Sequence, residues 1–209
     1  MAVVSITRQY GAGAHGIGKM VADRLGFQLI DREILDLVAK QAGVNVSKIK
    51  ELEHQAGDRL AAFISEMISS ASMLRYPAGL AGDLDEQEYR LVLKRVILGL
   101  AARGRAVIIG RGAHLILKDH PGAICIYLVA EEKDRVANLM SRQNLDRGKA
   151  EKVALREEKK RLVFLDGFGI HDPTDPLIYH AIINTSLVDW EAAADLICRL
   201  VEADTREGG

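Results

Sequence analysis

The sequence predicts an α/β fold: a parallel β-sheet covered by helices on both faces. Two observations predict the class. Short apolar strands alternate with helical segments along the chain, and the runs at 105–110 (RAVIIG) and 123–129 (AICIYLV) are apolar almost throughout. A strand buried on one face alternates apolar with polar residues; a near-continuous apolar run is the mark of a parallel strand buried on both. A third observation locates the ligand. A glycine-rich stretch follows the first strand, and ligands in such sheets bind outside the carboxyl ends of the strands.

The elements follow in order. Residues 2–7 (AVVSIT) read as a buried strand. The glycine stretch 11–18 (GAGAHGIG) runs into a helix ending near Leu25, with Gly26 as its C-cap. Residues 27–31 (FQLID) form a second strand. A helix over 32–42 follows, with apolar residues at Ile34, Leu35, Leu37, Val38 and Ala42. No strand is expected from 46 to 104. Helices are predicted from Ser47, over about 58–72 and over about 84–103, with a loop at 76–83. After the strands at 105–110 and 123–129 comes a helix at 131–142. Segment 142–161 then carries eight Lys/Arg against four Asp/Glu, and the stretch up to 177 is rich in Gly, Pro and Asp. A last strand is predicted at 178–183 (IYHAII). The Asn184-Thr-Ser turn follows, read as a cap or a nucleotide contact, and a helix over 189–202 closes the pattern.

Composition narrows the function. The chain has 209 residues, 48% hydrophobic and 27% charged, with a net charge of −1. That is ordinary for one globular domain with a sizeable core. No basic excess draws it to nucleic acid or anionic lipid, so neither is an expected partner. No apolar run approaches the ~20 residues that span a bilayer. The first residues lack the basic and apolar regions of a secretory signal. Cys125 and Cys198 sit in an apolar strand and an amphipathic helix and read as packing residues, not a disulfide framework. A reducing, cytoplasmic setting is the expectation.

Three templates compete for the glycine stretch. The dinucleotide fingerprint would use Gly11, Gly13 and Gly16 with Asp31. It should begin as the strand ends, yet Thr7-Arg-Gln-Tyr10 intervenes. A literal Walker A would use Gly13, Gly18 and Lys19. Met20 would then replace the Ser/Thr hydroxyl, and the helix would have only about two turns before Gly26, short for a βαβ crossover. In the third template the helix starts near Ala14 or His15. Backbone amides of Gly11, Ala12, Gly13, Ala14, His15 and Gly16 then cradle phosphate at the positive end of the helix. On this register Lys19 is a surface residue. A structural glycine turn without phosphate is the plain alternative.

Four segments taken together resemble the cytidylate kinase-like family: 7–18 (TRQYGAGAHGIG), 27–35 (FQLIDREIL), 105–117 (RAVIIGRGAHLIL) and 182–186 (IINTS). The resemblance implies a three-layer P-loop kinase fold with a five-stranded parallel sheet. Its core would be 1–31, 105–141 and 178–209, with a helical monophosphate-binding insertion at 32–104 and a lid at 142–177. It implies transfer of the ATP γ-phosphoryl group to a nucleoside monophosphate, CMP or dCMP, with ATP and Mg²⁺ as cofactors. By the same resemblance, Asp31, Arg32 and Arg111 would bind the acceptor. Arg111, Arg156 and Arg161 would act on the transferring group, and Arg142 would join the glycine loop on the nucleotide.

The sequence also departs from that pattern. Ala14 stands where the family's kinases have the P-loop lysine, and Gly16 where they have the Mg²⁺-binding hydroxyl. Ile109 and Gly112 replace the acids flanking the family's Gly-Arg-Asp motif. Loss of one preorganised cation costs on the order of 10²–10³ in rate. Arg8 and the lid cations are the candidates to take part of the lysine's place, with His15, which also reads as a solvent-facing helix residue, behind them. Other expectations stay open: a nucleotide-binding regulator of the same fold, a P-loop kinase for another small phosphate acceptor, and, last, a NAD-binding module. The apolar stretch 61–68 suits a second copy as well as a core, so a homodimer is also among them.

Overall fold

The computed structural model describes residues 2–31, 33–43, 45, 47, 86–168 and 172–207. Five strands form one parallel sheet: β1 (Val3–Arg8), β2 (Gln28–Ile30), β3 (Ala106–Ile109), β4 (Ala123–Val129) and β5 (Ala181–Asn184), in the order β2-β3-β1-β4-β5. The helices are α1 (Ala14–Leu25), α2 (Glu33–Ala42), α3 (Glu86–Arg103), α4 (Ala113–Ile116), α5 (Glu132–Gln143), α6 (Arg147–Asp166) and α7 (Trp190–Glu207). The α/β class and the five parallel strands are those the sequence predicts. The chain divides into two compact units, one of residues 1–31 and 97–209, the other of residues 32–96.

β1 lies at the centre, with Ile6 opposite Ile109 on one side and Ile126 on the other. Its alternate residues Val4 and Ile6 join Val107, Ile109, Ile124, Ile126 and Leu128 in a core with α1 and α7. Ser5 and Cys125 occupy the opposite face and are equally buried. Burial on both faces explains why β1, β3 and β4 read as apolar runs. The parallel register places the ends of β1, β2 and β3 side by side, and with them Arg8, Asp31 and Gly110.

The last strand differs from the sequence expectation. It begins at Ala181, not at 178, because Pro176–Ile178 form a 3₁₀ turn capped by the Asp175 carboxylate, which accepts a hydrogen bond from the Leu177 N–H. β5 is an edge strand, with Ile183 buried and Ile182 41% exposed. An edge strand needs only one apolar face, so the apolar run there misjudges the boundary. The Asn184-Thr-Ser turn does not cap α7. Asp189 does, through the Ala192 N–H at 2.8 Å. The turn instead ties elements together: the Thr185 hydroxyl donates toward the Ala12 and Val129 carbonyls, and the Ser186 hydroxyl accepts from the Glu131 N–H.

Both cysteines are buried, as expected, and burial pushes the Cys125 thiol up to about 11. No helix among the described residues is long and apolar enough to cross a membrane. The stretches 61–68 and 76–83, the predicted helix at 58–72, and Arg32 lie outside the described residues.

Candidate active site

The glycine loop adopts the third of the three registers. α1 begins at Ala14, and its N-cap Gly13, at φ 86°, has no side chain to occupy the first-turn N–H groups. Gly11 is also left-handed, at φ 97°. The structure adds a reason for glycine that the sequence does not show. A Cβ on Gly13 would lie 2.6 Å from the Trp190 indole, and one on Gly16 2.7 Å from it. Trp190 therefore seats the start of α7 on the start of α1. Ala12 and Ala14 are buried, and the Gly11 carbonyl accepts a hydrogen bond from Asn138 Nδ2.

Lys19 sits on the surface of α1, 62% exposed and paired with Asp23 at 2.7 Å. Exposed i,i+4 pairs are worth only a few tenths of a kcal/mol. Lys19→Ala is therefore expected to change ATP affinity by less than about threefold, as surface substitutions do. Isothermal titration of both proteins checks it. Crippled turnover in a folded Lys19→Ala protein would return Lys19 to the loop.

Asp31 follows β2, and its carboxylate lies 2.8 Å from His15 Nδ1. Across from it, residues Gly110, Arg111 and Gly112 are all left-handed, at φ 74°, 54° and 65°. For arginine that conformation costs about 1–2 kcal/mol relative to the right-handed one. Strain of this kind persists where surrounding structure enforces it, and it collects at ligand sites.

Arg161 reaches the same sheet ends from α6. Its Nε and Nη2 donate to Glu158 Oε1 at 3.0 and 2.7 Å, and Nη2 also to the Tyr127 hydroxyl at 3.4 Å. The guanidinium sits 5.7 Å from the Tyr127 ring centroid. Glu158 Oε2 accepts from the Tyr10 N–H at 2.8 Å, which fastens α6 to the glycine loop. Tyr10 also packs on the small cluster of Val136, Leu139, Ala150 and Ala154 between α5 and α6. Glu158 thus serves the loop and the arginine together, a role its spacing alone does not reveal. Glu157, next to it, pairs with Arg156 and Lys160, and leaves Arg161 to Glu158.

Two arginine donors here are buried without a hydrogen-bond partner: Arg161 Nη1 and Arg135 Nε. Arg135 belongs to α5, and its carbonyl would lie 2.8 Å from a Cβ on Gly11. Periodicity marks Arg135 only as an ordinary helix residue. Arg156 is 63% exposed on α6, and Arg142 is exposed at the end of α5.

Behind Arg161 runs an aromatic stack. Tyr127 and Tyr179 lie 5.0 Å apart, and Tyr179 and His114 5.5 Å apart. His114 is fully buried and neither ring nitrogen has a partner. Burial, with a smaller contribution from Arg161, pushes it down to about 3. It is neutral in the folded protein and takes up a proton on unfolding below its ordinary value near 6.5. Stability is therefore complete above that value and falls as pH drops through the window from 6.5 to 3. His114→Phe is expected to shrink the stability lost between pH 7 and pH 5 by about 2 kcal/mol, measured by urea unfolding at both pH values. An unchanged pH dependence would contradict it.

The loop offers a metal nothing. Positions 14 and 16 are alanine and glycine, and no group of three His, Cys, Asp or Glu among the described residues is placed to hold an ion. The side chains present do not fit a magnesium ion held by the loop.

A model of the cytidylate kinase-like family matches residues 3–187. The chain belongs to that family. Its fold is the P-loop kinase fold, seen also in solved structures of low identity. An uncharacterized protein from Eubacterium ventriosum is 22% identical with a TM-score of 0.68, over 97% of this chain and 98% of that one. A shikimate kinase from Acinetobacter baumannii, solved with shikimate, is 18% identical with a TM-score of 0.52, over 98% and 94%. One from Bacteroides thetaiotaomicron is 15% identical with a TM-score of 0.51, over 96% and 98%. No curated protein matches the chain.

Proposed function

We propose that this member of the cytidylate kinase-like family transfers the γ-phosphoryl group of ATP to a nucleoside monophosphate, CMP or dCMP. The observation that carries the reading is the arginine Arg161 beside the strand ends, with one buried donor unpartnered. A buried cationic donor without a partner is costly unless an anion fills the place.

In this reading the glycine loop holds the donor phosphates through its amides. Arg111 and Asp31 take the acceptor. Arg161 stabilises the charge that spreads over the transferring group. From the lid over 142–177, Arg156 acts with Arg161 on the transferring group, and Arg142 joins the glycine loop on the nucleotide. Such a reaction needs positioning and charge stabilisation more than covalent chemistry from the protein. Magnesium enters only as a companion of the nucleotide's own phosphates, since the loop gives it no ligand.

Ala14 and Gly16 favour a second reading, a nucleotide-binding regulator with the same fold. A coupled ADP-release assay separates the two. It covers all ribo- and deoxyribonucleoside monophosphates with Mg²⁺ and includes a control without acceptor. Turnover highest with CMP or dCMP is expected. Turnover confined to another phosphate acceptor would retain the kinase and remove cytidylate. Nucleotide binding without acceptor-dependent turnover would leave the regulator.

A further inference from the structure

Arg8 ends the central strand, immediately before the glycine loop. Its guanidinium does not lie along β1. It bends across the neighbouring strand and rests on Gly110, where a Cβ would collide with Arg8 Nη1. Gly110 is glycine for two reasons: its φ is 74°, and the arginine head occupies the space a side chain would take.

Among the described residues Arg8 makes no side-chain hydrogen bond and no ion pair. It is partly buried, so its charge is only partly hydrated. The field around it comes from Asp31 on one side and from Arg111 and Arg161 on the other. Burial lowers its pKa, and the two arginines lower it further against the pull of Asp31. A guanidinium stays protonated regardless. Three positive charges thus share one end of the sheet, and the nearby Glu158 carboxylate is already committed to Arg161 and the Tyr10 N–H. An arginine that only supported the fold would donate to a carbonyl or a carboxylate. This one presents five donors in a fork suited to phosphate oxygens.

Resting on the kinase reading above, we propose that Arg8 is the phosphate-binding cation of this site, replacing the lysine absent at position 14 and acting without a metal held by the protein. The ligand chemistry is a nucleoside triphosphate's polyphosphate chain. Arg8 approaches it from the β3 side of the loop, between the donor amides and the acceptor residues Asp31 and Arg111. Gly110 keeps that approach open.

The test is ATP binding by isothermal titration in EDTA, so that only the protein's own groups are read. Arg8→Ala is expected to weaken binding tenfold or more, and Arg8→Lys to recover part of the loss through a point charge without the fork. Lys19→Ala serves as the surface control and stays within threefold. Circular dichroism melts show whether each variant is folded. Should Arg8→Ala not fold, Arg8→Lys and Arg8→Gln carry the comparison, with Arg8→Gln expected to bind more weakly. Binding by a folded Arg8→Ala or Arg8→Gln protein within twofold of the wild type would overturn the proposal. So would wild-type protein that binds no ATP in EDTA. The kinase reading fails separately. Wild-type binding that depends on Arg8, with no product from any acceptor in the turnover assay, would remove the transferase and keep Arg8 as the anion site.

Discussion

Arg111→Ala is expected to abolish acceptor use while leaving ATP binding nearly intact. Arg111 follows the end of β3, between two left-handed glycines, beside the Arg8 and Arg161 charges. A charge-assisted hydrogen bond to phosphate contributes roughly 1.5–3 kcal/mol, so the loss in kcat/KM for the acceptor should be tenfold or more. The backbone supplies a control. At φ 54° a Cβ is strained, and glycine would relieve about 1–2 kcal/mol of that strain, set against roughly 0.5–1 kcal/mol of added unfolded-state entropy. Arg111→Gly should therefore melt no lower than Arg111→Ala, which keeps the strained Cβ, and still lose the acceptor. That split separates a ligand residue from a structural one, for which stability and activity would fall together. Unchanged KM and kcat for the acceptor in either variant would refute the assignment.

What the sequence made legible is what repeats along the chain. The continuous runs in β3 and β4 announced strands buried on both faces, because sheet burial acts on every residue of such a strand. The register of the glycine loop was legible too. A helix beginning at Lys19 would be too short, and the one observed begins at Ala14. What stayed hidden depends on contacts between distant residues. Glu158 reaches the Tyr10 N–H across 148 positions, and no local pattern encodes such a pair. Trp190 against Gly13 and Gly16 is of the same kind: helix capping and phosphate chemistry each explain those glycines, so the indole adds no separate signal. Arg8 was visible as a cation next to the loop, but only the fold shows its head turned onto Gly110. β5 was misplaced because an apolar run cannot distinguish an edge strand from a turn packed beside it.

Gly13→Val should abolish ATP binding, and the structure gives this result two separable causes. Valine at φ 86° is strained as a β-branched residue, and its Cβ would lie 2.6 Å from the Trp190 ring. The left-handed conformation costs about 1–2 kcal/mol and the overlap about 1–3 kcal/mol. Against a typical total stability of about 5–15 kcal/mol, the variant should fold with a markedly lower melting temperature. Trp190→Ala alone also destabilises, because it removes the packing of the half-buried indole between α1 and α7. Combined with Gly13→Val it removes the overlap, so the double variant should be less destabilised than the sum of the two. Binding should not return with it. The loop amides face phosphate only while residue 13 stays left-handed, and removing the indole does nothing for that torsion. Titration of ATP into the double variant is the decisive measurement. Restored affinity would mean that glycine at 13 serves the packing of α7 alone and that the loop amides are not the phosphate cradle.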